Sequence, residues 1–191
     1  MAERERPQTV VTSHPNADLD ALGSMVAAKR LFPGSVAVWS QGAEPQVQTL
    51  LEWLGEEAPE IRDPGPIELD GITTLIVVDS SDPDRLGPFA EAARDPSVRL
   101  LVYDHHGEKA EGLPEHARIV STQGGSNTSG MIPALRREGL SVSPAEATVM
   151  AAGVYEDTGM LTYPGVAGED FEAARWLLDQ GADLALVGRL L

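Results

Sequence analysis

The sequence has no cysteine among its 191 residues, which excludes disulfides, thiolate zinc sites and cysteine nucleophiles. No apolar run approaches the ~20 residues of a membrane span, and the start, MAERERPQ, has no signal-peptide core. A cytoplasmic protein with no membrane partner is the expectation. Positive charge is scarce: 14 Lys and Arg against 30 Asp and Glu leave a formal net charge of −16. That balance argues against long-range attraction of a nucleic-acid polyanion. It does not exclude a phosphate substrate, because bound cations reverse the local sign. Most of the carboxylates are read as solvating a surface. Repeats and low-complexity tracts are absent as well.

What is present is one domain's worth of chain, long enough to bury a core. Residues 1–8 read as a frayed tail and residues 9–191 as a single domain. Thr9–Ser13, Val36–Trp39, Thr73–Val78, Arg99–Tyr103 and Ala117–Val120 read as strands. Helices are expected at Asp20–Phe32, Pro45–Leu54, Thr128–Glu138, Pro144–Gly153 and Glu169–Gln180, with Glu56–Asp70 as a connecting loop. The terminal GADLALVGRLL has an apolar helical pattern. Continuous apolar strands alternating with helices predict an α/β fold, a mostly parallel central sheet in three layers with helices on both faces. Ligands in such folds bind at the carboxyl ends of the strands.

That rule gives meaning to the acids and imidazoles. The first strand leads to His14, Asp18 and Asp20, the TTLIVV strand to Asp79, and the RLLVY strand to Asp104, His105 and His106. Asp157, in GVYEDTGML, is the remaining candidate, and His116 reads as a surface residue. Singly, each has a plainer use: Asp20 suits a helix cap, Asp79 a turn after its strand, and Asp157 the turn around Gly159. Together they fall on one edge of the sheet. Mixed carboxylate and imidazole donors without sulfur suit manganese or cobalt, zinc less well and calcium poorly, while magnesium alone prefers oxygen. Four aspartates (18, 20, 79 and 157) balance two divalent ions in charge. A metal pair bridged by a carboxylate and a hydroxide is a general device for phosphoester hydrolysis.

The run His14-x-x-x-Asp18-x-Asp20-Ala21-x-Gly23-Ser24, then Asp79, then Asp104-His105-His106, then Asp157, resembles the four motifs of the DHH phosphoesterases. That superfamily includes RecJ-type exonucleases, nanoRNases, exopolyphosphatases and family II pyrophosphatases. The resemblance implies a Rossmann-like DHH domain in which His14 and Asp18 hold a first metal and Asp79 bridges. Asp20, His105 and Asp157 would hold the second. His106 would face the substrate phosphate, and Asp104 would orient a ligand imidazole. Ser24 and Gly23 are assigned to packing and capping. One departure is that many members carry proline at the position of Ala17, whereas here it stands at Pro15.

The phrases HPNADLDALGSMVAAKRLFPG and GVYEDTGMLTYP are most similar to the amino-terminal DHH modules of bacterial proteins. Those proteins continue into CBS domains and a poly(A)-polymerase-like tRNA nucleotidyltransferase. Family enzymes carry a second, basic domain that grips the substrate, and nothing after Asp157 resembles it, so a fragment of a longer chain is expected. In its absence, Ser126 and Asn127 of GGSN are candidates to offer backbone amides to phosphate, with a simple capped loop as the plainer alternative. The expected activity is Mn-dependent hydrolysis of nucleotide or short-oligonucleotide phosphoesters, with Mg or Co as substitute ions. An ancillary metal- and RNA-binding module, meeting tRNA through fused domains, is the alternative, and a pyrophosphatase is the third. A homodimer is left open.

Overall fold

The computed structural model describes residues 7–65, 69–106 and 113–191. Most of the expected tail (residues 1–6) and residues 66–68 of the connecting loop lie outside the described residues. Five strands, β1 (Thr9–Thr12), β2 (Val36–Ala37), β3 (Thr74–Val78), β4 (Arg99–Asp104) and β5 (Arg118–Ser121), form one sheet in the order β2-β1-β3-β4-β5. Every pairing is parallel, with Val11 beside Ala37 and Ile76, and Ile76 beside Leu101.

The strands are apolar on both faces because both faces are covered. Val11, Ile76, Val78 and Leu101 join a core with α1 (Leu19–Leu31), α2 (Pro45–Leu54), α4 (Asn127–Arg137), α5 (Pro144–Asp157), α6 (Gly168–Asp179) and α7 (Leu184–Leu190). Val10, Leu75, Val77, Leu100 and Val102 form a second, thinner core with Leu86, Phe89 and Ala93, carried by 3-10 turns and α3 (Ala90–Arg94). Among the described residues no helix is long and apolar enough to cross a membrane.

The strand order reverses direction at β1 and β3, since β2 lies to one side of them and β4 and β5 to the other. Such a switch point opens a crevice at the carboxyl ends of the two strands. Helix α1 descends from it and is buried from Leu19 through Ala28. The expected end of α5 at Gly153 falls short, and the helix runs on to Asp157. Gly153 is there for contact: a Cβ on it would lie 2.7 Å from the Leu19 carbonyl oxygen. Helix α3 was not foreseen, because five residues are too few to show a helical period.

Candidate metal centre

Asp79 is the pivot. Strand β3 ends at Val78, and Asp79 takes φ 54, the left-handed region that costs a non-glycine residue about 1–2 kcal/mol. Its amide stays on the sheet, donating to Tyr103 O at 2.9 Å, while the bend turns its carboxylate into the crevice. One oxygen, Oδ2, lies 3.5 Å from His14 Nε2; the other, Oδ1, lies 3.5 Å from His105 Nε2. His14 Nε2 is also 3.6 Å from Asp18 Oδ2, and His105 Nε2 is 3.4 Å from Asp157 Oδ2.

Two groups result, His14/Asp18/Asp79 and Asp20/His105/Asp157, each offering three donor atoms within 4.8 Å of one another. A third, Asp79/His105/His106, overlaps both. Asp79 Oδ1 and His105 Nε2 are buried without a hydrogen-bond partner, which is costly unless something else binds them. Nitrogen and carboxylate donors in this arrangement fit a pair of divalent cations.

Each donor is set by local chemistry. His14 places Nδ1 at 2.9 Å from Pro15 O; a carbonyl only accepts, so Nδ1 carries the proton and Nε2 is free to ligate. The cap of α1 is Asp18, whose Oδ1 accepts the Ala21 amide at 2.9 Å, so the plainer use of Asp20 as a cap falls away. Asp20 is fully buried in the first turn, where Oδ2 accepts the Asn127 amide at 2.6 Å and Oδ1 the Thr128 amide at 3.0 Å. Asp157 is delivered by the last turn of α5.

Crowding shows in the protonation equilibria. Burial, then the charges of Asp20, Asp79 and Asp18, push Asp157 up to about 8. Burial and Asp79 push Asp20 up to about 7. Burial opposes charge on His14 and His105, but the carboxylate of Asp79, 3.5 Å from each Nε2, prevails and holds both at about 9. Burial likewise opposes charge on Asp79, yet the two imidazoles keep it below the usual carboxylate range.

The imidazole that Asp104 meets is that of His106: its Oδ1 accepts His106 Nδ1 at 2.7 Å and the His106 amide at 3.2 Å. The His106 side chain is 63% exposed. Ser126 and Asn127 depart from the expected phosphate contact. Both are fully buried, Ser126 Oγ caps α4 by accepting the Ser129 amide, and the first amides of that helix already hold Asp20. Ser24 bonds the Asn127 and Thr128 side chains, and Gly23 lets Thr128 approach.

Two supporting acids were missed. Glu156 Oε2 accepts the Leu19 amide at 2.8 Å, and burial with the Asp18 charge lifts it to about 7. Asp170, fully buried, accepts the amides of Gly125 (2.9 Å) and Ala167 (2.8 Å) and the Ser129 hydroxyl. Only the adjacency of Glu156 to Asp157 offered a signal; Asp170 offered none in so acidic a chain.

Residues 8–154 match the DHH family, N-terminal domain. The chain belongs to the DHH family. It is 41% identical over 182 residues to an A-adding tRNA nucleotidyltransferase of Geobacter sulfurreducens, covering 93% of this chain and 20% of that protein. It is 28% identical over 200 residues to the cyclic-di-AMP phosphodiesterase GdpP of Geobacillus thermodenitrificans, covering 98% of this chain and 30% of that one. An exopolyphosphatase-related protein from Bacteroides fragilis shares the fold, with a TM-score of 0.75 at 19% identity over 96% of this chain and 56% of that one. This DHH chain thus spans about a fifth to a third of the length of these curated relatives.

Proposed function

We propose that this DHH domain is a phosphoesterase core that uses two divalent ions, best matched by manganese, to hydrolyse a phosphoester of a nucleotide or short oligonucleotide. The observation that carries this reading is Asp79, whose two oxygens face two separate donor groups at 3.5 Å each. His14, Asp18 and Asp79 would hold one ion; Asp20, His105 and Asp157, with Asp79 shared, the other. When bound, the ions supply Lewis acidity toward phosphate oxygens and lower the pKa of a water to near neutrality.

The chain's own residues do the rest. Asp79, Asp104 and His106 line a common cavity of about 370 Å³. Asp104 fixes His106 through Nδ1, so its Nε2 is the ring atom left for the substrate. With the ring carrying both protons, it donates from there to a phosphate oxygen or to the leaving group. The amides of α4 fix Asp20, so the ligand set is pre-oriented before any ion binds.

The similarity to a tRNA nucleotidyltransferase supports a second reading, an ancillary module that binds metal and RNA for a fused tRNA-processing enzyme. Hydrolysis of short RNA, linear and cyclic dinucleotides, 3′-phosphoadenosine 5′-phosphate and pyrophosphate with Mn2+ separates the two. The phosphoesterase reading requires turnover that Asp79→Asn abolishes. No turnover with any substrate, alongside metal-dependent RNA binding, selects the second reading.

A further inference from the structure

We propose that Arg85 is a specificity residue of this site: it holds a second phosphate of the substrate, the one that flanks the bond being cut. This rests on the phosphoesterase reading above. The chain leaves Asp79 through its left-handed bend and enters a 3-10 turn at Pro83–Arg85. That turn is firmly mounted. Asp82 caps it by accepting the Asp84 amide at 2.9 Å, the Arg85 amide donates to Asp82 O at 3.1 Å, and Pro83, Leu86 and Phe89 are buried beside it.

Arg85 therefore stands on a rigid base at the wall of the 370 Å³ cavity that Asp79, Asp104 and His106 also line. It is the one lysine or arginine in that lining. Of its acidic neighbours, Asp84 pairs with Arg94 and Asp104 with His106, while Asp82 Oδ1 accepts the Asp84 amide. Among the described residues Arg85 itself forms no ion pair. Other arginines are paired, Arg30 with Glu146, Arg136 with Glu172 and Arg175 with Asp179.

Charge balance says what Arg85 would take. Four aspartates and two divalent ions would sum to zero, and ions held there would meet the phosphate under attack. A further phosphate would meet, in the described lining of this acidic cavity, the guanidinium of Arg85, whose planar fork suits a phosphate's oxygens. The substrate class is one with two phosphates, on neighbouring nucleotides or directly linked.

The test compares wild type with Arg85→Gln and Arg85→Lys, each loaded with Mn2+, on the dinucleotide ApA, on its 5′-phosphorylated form pApA, and on pyrophosphate. Arg85→Gln should raise KM for pApA roughly 10- to 100-fold, with kcat and the ApA parameters little changed and Arg85→Lys in between. A matching loss on pyrophosphate marks directly linked phosphates as ligands too; no loss there restricts the class to neighbouring nucleotides. Equal effects on ApA and pApA, or none on either, overturn the proposal. Calorimetry with Mn2+-loaded protein judges it apart from catalysis. Wild type must bind pApA about tenfold more tightly than ApA, and Arg85→Gln must lose that preference. A protein that shows the preference but hydrolyses nothing refutes the phosphoesterase reading alone; a wild type without the preference refutes the role of Arg85.

Discussion

The carboxylate of Asp20 accepts the backbone amide of Asn127 at 2.6 Å, across 107 residues of sequence. The next amide, of Thr128, takes its other oxygen, so Asp20 sits on the N-terminus of α4 where helix amides favour an anion. An ionised carboxylate has about four lone-pair sites, so two directions remain for metal. The first motif is thus aimed by a helix in the second half of the chain. Geometry at α1, α4 and α5 should therefore be felt as metal affinity.

Gly153→Ala tests that coupling. A Cβ at 153 would lie 2.7 Å from Leu19 O and 2.9 Å from Asp20 Cα, so α1 and α5 must separate. Urea denaturation should show a loss of about 1–3 kcal/mol. Titration with Mn2+ should show weakened binding, because Asp20 and Asp157 ride on the two displaced helices. Gly188→Ala in α7 meets nothing within 4 Å and should be neutral or slightly stabilising.

Metal-free protein should lose stability as pH rises. Asp20 and Asp157 move from 3.8 to about 7 and about 8 on folding, so between those limits the folded chain holds more protons than the unfolded one. His14 and His105 move from 6.5 to about 9, and their contribution, complete below 6.5, is lost as pH passes through 9. All four act in the same direction. Melting in EDTA should fall steadily from about pH 5 to 9, whereas added Mn2+ should stabilise more at higher pH, since ligation displaces those protons. An EDTA melt that rises over this range would contradict the cluster.

The sheet and its ligand edge were legible because their signals are local. Leu75–Val78 and Leu100–Val102 are continuously apolar since both faces are buried, and their strands run straight into Asp79 and Asp104-His105-His106. The long-range partners were not legible. GGSN is open to a phosphate cradle or a capped loop until Ser126 is seen capping α4 and Asp20, 107 residues from Asn127, is seen in its amides. Gly153 reads as a helix terminator until Leu19 is seen against it. Asp170 and Arg85 carry no period and no motif of their own, so only the tertiary fold brings them to the site.

Asp170→Ala should destabilise the chain by about 3–5 kcal/mol, because it strips an acceptor from buried donors at Gly125, Ala167 and Ser129. Asp170→Asn should recover only part of this, since its NH2 group faces donors. Denaturation measures the loss. Because the Gly125–Ser129 loop leads into the amides that hold Asp20, Mn2+ affinity should fall in the same order.

Asp104→Asn should separate catalysis from metal binding. Asp104 is 5% exposed and belongs to none of the donor groups. Burial opposes its charge, but hydrogen bonds from His106 and Ser81 hold it below the usual carboxylate range, so it is ionised at neutral pH. An ionised acceptor keeps the proton of His106 on Nδ1. An amide in its place carries no negative charge, so the charge-assisted bond that supports a ring protonated on both nitrogens, the form that donates from Nε2, is lost. The expected result is a fall in kcat of about 10- to 100-fold with metal content unchanged, read by steady-state kinetics beside elemental analysis. Asp79→Asn, by contrast, should lose metal and activity together. If Asp104→Asn also loses metal, then His106 acts through its overlapping group with Asp79 and His105, as a ligand and not as the substrate-facing donor.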